Sequence, residues 1–276
     1  MKRGKVLVSV VMSVFNADKQ VDRAIESILN QTLKNFEFII VNDASRDKTS
    51  TIVRRYAKKD KRIRLINNDR NLKIAHSLNI GVSNAKADLI ARMDADDISH
   101  PERLEMQYAF LKQHPNVAIV GTNISISDKN GNEIWKREYP TLSTELKKVM
   151  LRYAPFAHPT VMFLKKVFDE FGGYDPKMIP CEDIDFWFRI GTKYDFGNIP
   201  KSLLKYSLSV KSGSHYDIRK TELLGFKIKI KAISEYGYRL SLYDVVYNVL
   251  QFLSLWVMPA NTRIRLYNAL RSRGLI

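Results

Sequence analysis

Apolar residues along the first hundred positions come in two alternating rhythms. Val6 to Phe15 is a short run, too apolar and β-branched for a strand with one wet face, whereas Asp18 to Gln31 places Val21, Ala24, Ile25, Ile28 and Leu29 on one helical face. The exchange then repeats. Phe36 to Val41 predicts a strand, Lys48 to Lys58 a helix, Ile63 to Ile66 a strand, Ile74 to Asn84 a helix and Ala87 to Met93 a fourth strand. Strands spaced by helices imply right-handed βαβ crossovers and a mainly parallel sheet with helices on both faces, so the predicted class is α/β and Rossmann-like. Ligands of such sheets bind beyond the carboxyl ends of the strands. Asn16, Asp43 and Asp94 fall at those ends, and three loops are expected to converge on one crevice.

After Pro101 the pattern changes. Pro101 to His114 reads as a helix opened by Pro101 and Glu102, Val117 to Ser127 as a long strand, and Asp128 to Gly131 as a turn into a second strand running through Tyr139. A helix is expected over Ser143 to Tyr153, a strand over Thr160 to Leu164, a short helix from Lys165, a turn at Gly172 to Asp175, and a helix opening at Glu182 and Asp183. Tyr194 to Leu208 is strand-rich, and from Tyr216 the pattern is helical, with interruptions near Gly237 and Pro259. Residues 1–215 are therefore expected to form the catalytic core and 216–276 a basic, amphipathic helical tail.

The chemistry concentrates in Arg92-Met93-Asp94-Ala95-Asp96-Asp97, where a buried-looking strand delivers a cluster of carboxylates. Hard divalent ions such as Mg²⁺ or Mn²⁺ prefer oxygen ligands, take one or two from protein, and leave positions for water and phosphate; the plain alternative is a solvated acidic turn. Asp43, after the second strand, could accept the imide N–H of a uracil or thymine or could simply make the turn, with Ser45 capping the next helix. A second cluster, Glu182-Asp183-Ile184-Asp185-Phe186-Trp187, supplies the base that a displacement at a sugar carbon requires, and Asp183 is its candidate. Trp187 suits either the core or a sugar-stacking face, and Asp185 points elsewhere.

These segments together resemble the inverting glycosyltransferases of family 2, which have the GT-A fold. The resemblance runs from Val8 to about Leu208 and rests on Ser9 to Asn16, Ser27 to Thr32, Phe38 to Ser45 with Asp47 and Thr49, Arg92 to Asp97, and Glu182-Asp183 ahead of Trp187. It implies that Ser13, Val14, Phe15 and Asn16 line a nucleotide pocket, that Asp43 holds the base, and that Asp94 serves the ribose or diphosphate side. It further implies that Asp96, together with Asp94, binds the metal and that Asp183 is the general base. Arg92 joins the nucleotide-binding set. Phe156 to Thr160 looks like the acceptor-side loop, with His158, Glu182 and Trp187 as acceptor contacts. Lys73 stands where the family often has glycine, so either the turn is altered or its ammonium meets phosphate. His215 is the type of late histidine that gives some relatives a further metal contact. A Gly-rich loop, which sugar-phosphate nucleotidyltransferases resemble each other in, is missing from Ser13 to Asp18.

Charge adds partners. With 45 Lys and Arg against 29 Asp and Glu the chain carries a formal +16 and favours anionic partners. A nucleotide-sugar donor meets that description; an anionic-lipid or nucleic-acid binding module is the competing class, although no nucleic acid is expected for the transferase. After Asp244 the chain has no acidic residue, and the apolar stretch Val245 to Met258 is too short to span a bilayer. It fits equally a helix lying in the interfacial plane of a membrane, which would bring in a lipid-linked saccharide acceptor, and a core helix with a solvated basic tail. The basic start lacks a cleavage site, so no signal peptide is read, and the single Cys181 excludes a disulfide framework. A cytoplasmic protein, peripheral on the membrane if the tail binds it, is the expectation.

Overall fold

In the strand Val8–Val14 (β1) the side chains of Val8, Val10, Met12 and Val14 enter one apolar core and that of Val11 the other. This double burial is why the run lacks the polar alternation of a one-sided strand. A computed structural model describes residues 5–128, 131–207 and 218–272 of the chain. After β1 come α1 (Val21–Leu29), β2 (Phe36–Asn42), α2 (Thr49–Lys59), β3 (Ile63–Asn67), α3 (Lys73–Ser83) and β4 (Leu89–Met93), each within a few residues of its predicted span. β1 pairs parallel with β2 on one side and β4 on the other, and β3 extends the parallel run beyond β2.

Past β4 the sheet becomes mixed. The elements are β5 (Ile98–Ser99), α4 (Arg103–Gln113), β6 (Val117–Ser127), β7 (Glu133–Arg137), α5 (Ser143–Val149), β8 (Met162–Leu164), α6 (Lys165–Phe171), α7 (Glu182–Gly191), β9 (Asp195–Ser207), α8 (Ile218–Tyr236), α9 (Leu242–Val257) and α10 (Ala260–Ser272). The strand order is β3-β2-β1-β4-β8-β6-β9-β5, with β7 on β6. β8 runs antiparallel to β4 and β6, while β6 and β9 run parallel to each other. Helices α1, α2 and α4 cover one face; α3, α5, α6, α7 and α8 cover the other.

Two element starts and one short strand differ from expectation for reasons the structure makes plain. Residues His158–Thr160 form a 3-10 turn with Pro159 in its first positions, so the strand expected from Thr160 begins at Met162. Helix α4 begins at Arg103 and Glu102 occupies its cap position, two residues later than Pro101 predicted. The two-residue β5 pairs Ile98 with Lys205 and Ser99 with Leu204 on β9, a partnership too short to leave a period in sequence.

Close approach of α3 to the sheet depends on Gly81, where an added Cβ would overlap Cγ1 of Val11 and lie 3.3 Å from Cγ2 of Val41. Gly81→Ala gains helix propensity worth up to ~1 kcal/mol. Overpacking of this kind costs ~1–3 kcal/mol. The expected net outcome is a lower denaturant midpoint with unchanged slope in a urea titration.

Candidate active site

Among the described residues three non-glycine residues have a left-handed backbone, and all three follow the carboxyl ends of the parallel strands: Asn16 (φ 50°), Ala44 (φ 57°) and, at the start of α3, Lys73 (φ 71°). Such residues are uncommon and persist where surroundings hold them. The holding bonds run between the loops after β1 and β2. Asn16 N–H donates to Ser45 Oγ (3.0 Å), Arg46 N–H to Asn16 Oδ1 (2.9 Å), Ala17 N–H to Thr49 Oγ1 (2.8 Å) and Asp18 N–H to Asp47 Oδ2 (3.1 Å). Ser45 therefore does not cap α2, contrary to expectation, because its hydroxyl is engaged across the crevice; Asp47 Oδ1 accepts the Thr49 N–H instead (2.9 Å).

Asp43 is 2% exposed. Its Oδ1 accepts from Asn68 Nδ2 and Leu72 N–H (both 2.8 Å), and its Oδ2 from Lys73 N–H (2.9 Å). The carboxylate thus ties the end of β2 to the start of α3, where the helix dipole favours negative charge. Lys73 keeps the left-handed turn that a glycine would adopt freely, at a cost of ~1–2 kcal/mol. Beside these groups opens a cleft of ≈ 630 Å³, lined by Phe15, Asn16, Ala44 and Asn71 and by the three guanidinium-bearing residues Arg46, Arg54 and Arg70. Phe15 is 46% exposed there, whereas Val14 turns its side chain into the core and its carbonyl accepts from the Asp43 N–H (2.9 Å).

On the other side of β1, at the end of β4, stand Asp94, Asp96 and Asp97, whose carboxylate oxygens lie within 4.8 Å of one another. Asp97, which the sequence reading left out of the ligand set, is 1% exposed; its Oδ1 accepts from Ser207 N–H (3.0 Å), and its Oδ2 is buried without a hydrogen-bond partner. Burial, reinforced by Asp94, pushes Asp96 up to about 6, and burial with Asp94 and Asp96 pushes Asp97 well above the usual carboxylate range. Oxygen-only donors, crowded enough to resist ionising together, with one orphaned buried oxygen, fit a hard divalent cation. His215, the expected further ligand, lies outside the described residues.

Arg92 forms an ion pair with Asp94 and its side chain is only 4% exposed, so it acts on the site through its charge. That guanidinium opposes the rise of the Asp96, Asp97, Glu182 and Asp183 carboxyls, and it adds to the burial that holds His158 well below the usual imidazole range. Arg103, fully buried and unremarked in sequence, donates from Nε to Ser99 Oγ (2.8 Å) and from Nη1 to the carbonyls of Arg92 (3.0 Å) and Pro159 (2.7 Å).

Asp183 lies in the first turn of α7 with its side chain 18% exposed, and Oδ1 accepts from Ile184 N–H (2.8 Å). Burial pushes its carboxyl up to about 6, with Asp94 adding to the rise and Arg92 resisting it. His158 Nδ1 lies 3.9 Å from Asp183 Oδ2 and its Nε2 is 3.1 Å from the Tyr174 hydroxyl, while the ring meets Trp187 edge-on at 5.8 Å. Glu182 is 4% exposed, pushed up to about 8 by burial and by Asp183. Trp187 must be reassigned. At 0% exposure, packed against Phe156 and Phe186, it has no free face for a sugar and belongs to the core. Asp185 is structural, paired with Arg189 at 2.9 Å.

Sequence and fold comparisons bear on the family and the fold. The pattern described as "Glycosyl transferase family 2" matches residues 9–172. The O-antigen biosynthesis glycosyltransferase WbnJ of Escherichia coli is 36% identical over 212 residues, 75% of this chain and 81% of that one. Among solved structures, S. aureus TarS 1–349 in complex with UDP-GlcNAc superposes with a TM-score of 0.69 at 16% identity, covering 84% of this chain and 68% of that one. The mannosyltransferase PcManGT from Pyrobaculum calidifontis, in complex with GDP-Man and Mn²⁺, gives 0.61 at 16%, covering 93% and 82%. The fold is of the GT-A type, and the chain belongs to glycosyl transferase family 2.

Proposed function

We propose that this nucleotide-sugar dependent glycosyltransferase moves a sugar from a UDP-sugar to a hydroxyl of a saccharide or lipid-linked saccharide, by direct displacement with inversion at the anomeric carbon. The observation that carries the reading is Asp183, a largely buried carboxyl pushed up to about 6 whose environment includes the charges of Arg92 and Asp94. A base of that strength still ionises near neutrality and takes an acceptor proton more readily than an ordinary aspartate.

The nucleoside occupies the crevice between the loops after β1 and β2. Ser13, the backbone of Val14, Phe15 and Asn16 form one wall, and Asp43 and Lys73 stand opposite, with Asp43 facing the base and Lys73 the diphosphate. Asp94 and Asp96, with Asp97 behind them, would hold Mg²⁺ or Mn²⁺, which would supply positive charge against a departing nucleoside diphosphate. Arg92 holds Asp94 in place and limits the carboxylates' repulsion. On the acceptor side Asp183 removes the hydroxyl proton, His158 supports its Oδ2 edge, and Glu182, protonated at neutral pH, is available as a donor to an acceptor oxygen. Residues 1–215 constitute the catalytic unit and 216–276 the tail, in a cytoplasmic setting at the membrane's inner face.

The test is calorimetric titration with UDP-sugars, with and without Mn²⁺, alongside detection of UDP released by slow hydrolysis. Metal-dependent heat and UDP release are expected; their absence across a donor panel refutes the reading. A thermal measurement checks the metal separately. A carboxyl raised in the folded state makes that state hold more protons than the unfolded chain between about pH 4 and 6, so metal-free stability falls as pH rises across this window. Protonated carboxyls do not ligate. The rise in melting temperature on adding Mn²⁺ should therefore be small at pH 5 and several degrees at pH 7.5; an equal shift at both would remove the cluster from metal binding.

A further inference from the structure

Helix α9 is built inside out. Its polar residues recur on one side and are bonded to the protein body. Asp244 is paired with Arg152 at 3.0 Å, and Asn248 donates to the Leu151 carbonyl (2.8 Å) and accepts from Lys229 Nζ (2.9 Å). Gln251 donates to Glu222 (2.6 Å), and Ser254 accepts from Arg263 Nε (2.9 Å). The opposite side is apolar and open: Leu250 is 62% exposed, Leu253 54%, Trp256 62% and Val257 77%. A surface helix in water shows the reverse pattern. The helix is nevertheless firmly started, by reciprocal bonds between Ser241 and Asp244. Its single charged residue, Asp244, faces inward.

The neighbouring helices carry exposed cations. The Arg219 guanidinium sits 5.5 Å from the centre of the Trp256 ring, and Lys227 and Arg265 are exposed on the neighbouring helices. Among the described residues no acid follows Asp244. An aromatic ring stacked with arginine is the side-chain pairing suited to the boundary between lipid headgroups and acyl chains. A second copy of the chain would bring its own cations against these. No helix of the described residues is long and apolar enough to cross a membrane, so the helix would lie flat.

We propose that α9 lies in the interfacial plane of an anionic bilayer, with Leu250, Leu253, Trp256 and Val257 at acyl depth and Arg219, Lys227 and Arg265 on the headgroup phosphates. The same surface adjoins the reaction site. Cys181 Sγ donates to the Thr221 carbonyl (3.5 Å), so the first turn of α8, which carries Arg219, abuts the residue preceding Glu182 and Asp183. Resting on the function proposed above, this docks the enzyme with its general base beside the membrane and selects a lipid-linked acceptor.

Flotation of the full chain with vesicles tests the docking without donor or acceptor. Wild type should float with phosphatidylcholine vesicles containing phosphatidylglycerol, less with phosphatidylcholine alone, and less in high salt. Leu253→Asp should lower partitioning by about tenfold or more, the ratio that goes with exposing a leucine side chain. Arg265→Glu should lower it by about fivefold or more on anionic vesicles only. Donor titration of both variants, expected to match wild type, establishes that they are folded. Absent flotation, or flotation indifferent to Leu253→Asp, overturns the proposal. So does a dimer in sedimentation that Leu253→Asp dissolves, which would assign the face to a second copy. Loss of donor binding with flotation intact would instead refute the transferase mechanism alone.

Discussion

Asp183→Asn should reduce sugar transfer by about 10²–10⁴-fold, the usual contribution of a positioned base, while donor affinity and slow donor hydrolysis stay near wild type. Asparagine keeps the size of the side chain and an oxygen for the Ile184 N–H, so the start of α7 need not change. What it loses is the negative charge and the lone pair that removes a proton. A pH profile separates this from a structural defect. The working form is the ionised one, and with the carboxyl pushed up to about 6, wild-type kcat/KM should fall as pH drops through that value. Any residual rate of the variant should lack that limb. Near-normal turnover in the variant, or a limb that survives the substitution, would take Asp183 out of its role.

Asp96→Asn should have two opposed effects. Metal-dependent donor affinity should drop by about 10–100-fold or more, since even outer contacts of a bound ion carry that much. The metal-free protein should meanwhile become more stable at pH 7.5. There the folded state carries the cost of ionising a carboxyl pushed up to about 6 by burial and by Asp94. Replacing it with a neutral isostere relieves on the order of 3 kcal/mol. Calorimetry with Mn²⁺ and thermal unfolding in chelator read the two effects independently. A variant with unaltered metal response would show that the three carboxylates serve only the fold.

The parallel half of the sheet was readable because β1, β2 and β4 are buried along nearly their whole length, leaving apolar runs such as Phe38 to Val41 between amphipathic helices. The carboxylates were readable because a strand end is a position with a fixed meaning in such a sheet. What stayed hidden depends on partners distant in sequence. Asp97 owes its place to Ser207, 110 residues away; Arg103 reads as one more helix-surface cation until the carbonyls it serves are located; and Ser45 looks like a cap until Asn16 claims it. Trp187 carried both readings in sequence, and only the aromatic cluster around it decides for the core. The reversal of α9 was invisible for a related reason: Asn248, Gln251 and Ser254 look like the wet side of a helix, and their bonds to Leu151, Glu222 and Arg263 make them the dry one.

Arg103 fastens the backbone just ahead of the acidic cluster to the backbone just behind His158 through one planar group. Its bonds to the Arg92 and Pro159 carbonyls fix the spacing between the halves of the cleft that would grip the leaving diphosphate and the incoming alcohol. An enzyme braced this way need not close two jaws independently. The span over which the sugar must travel is set when the chain folds, before either substrate arrives.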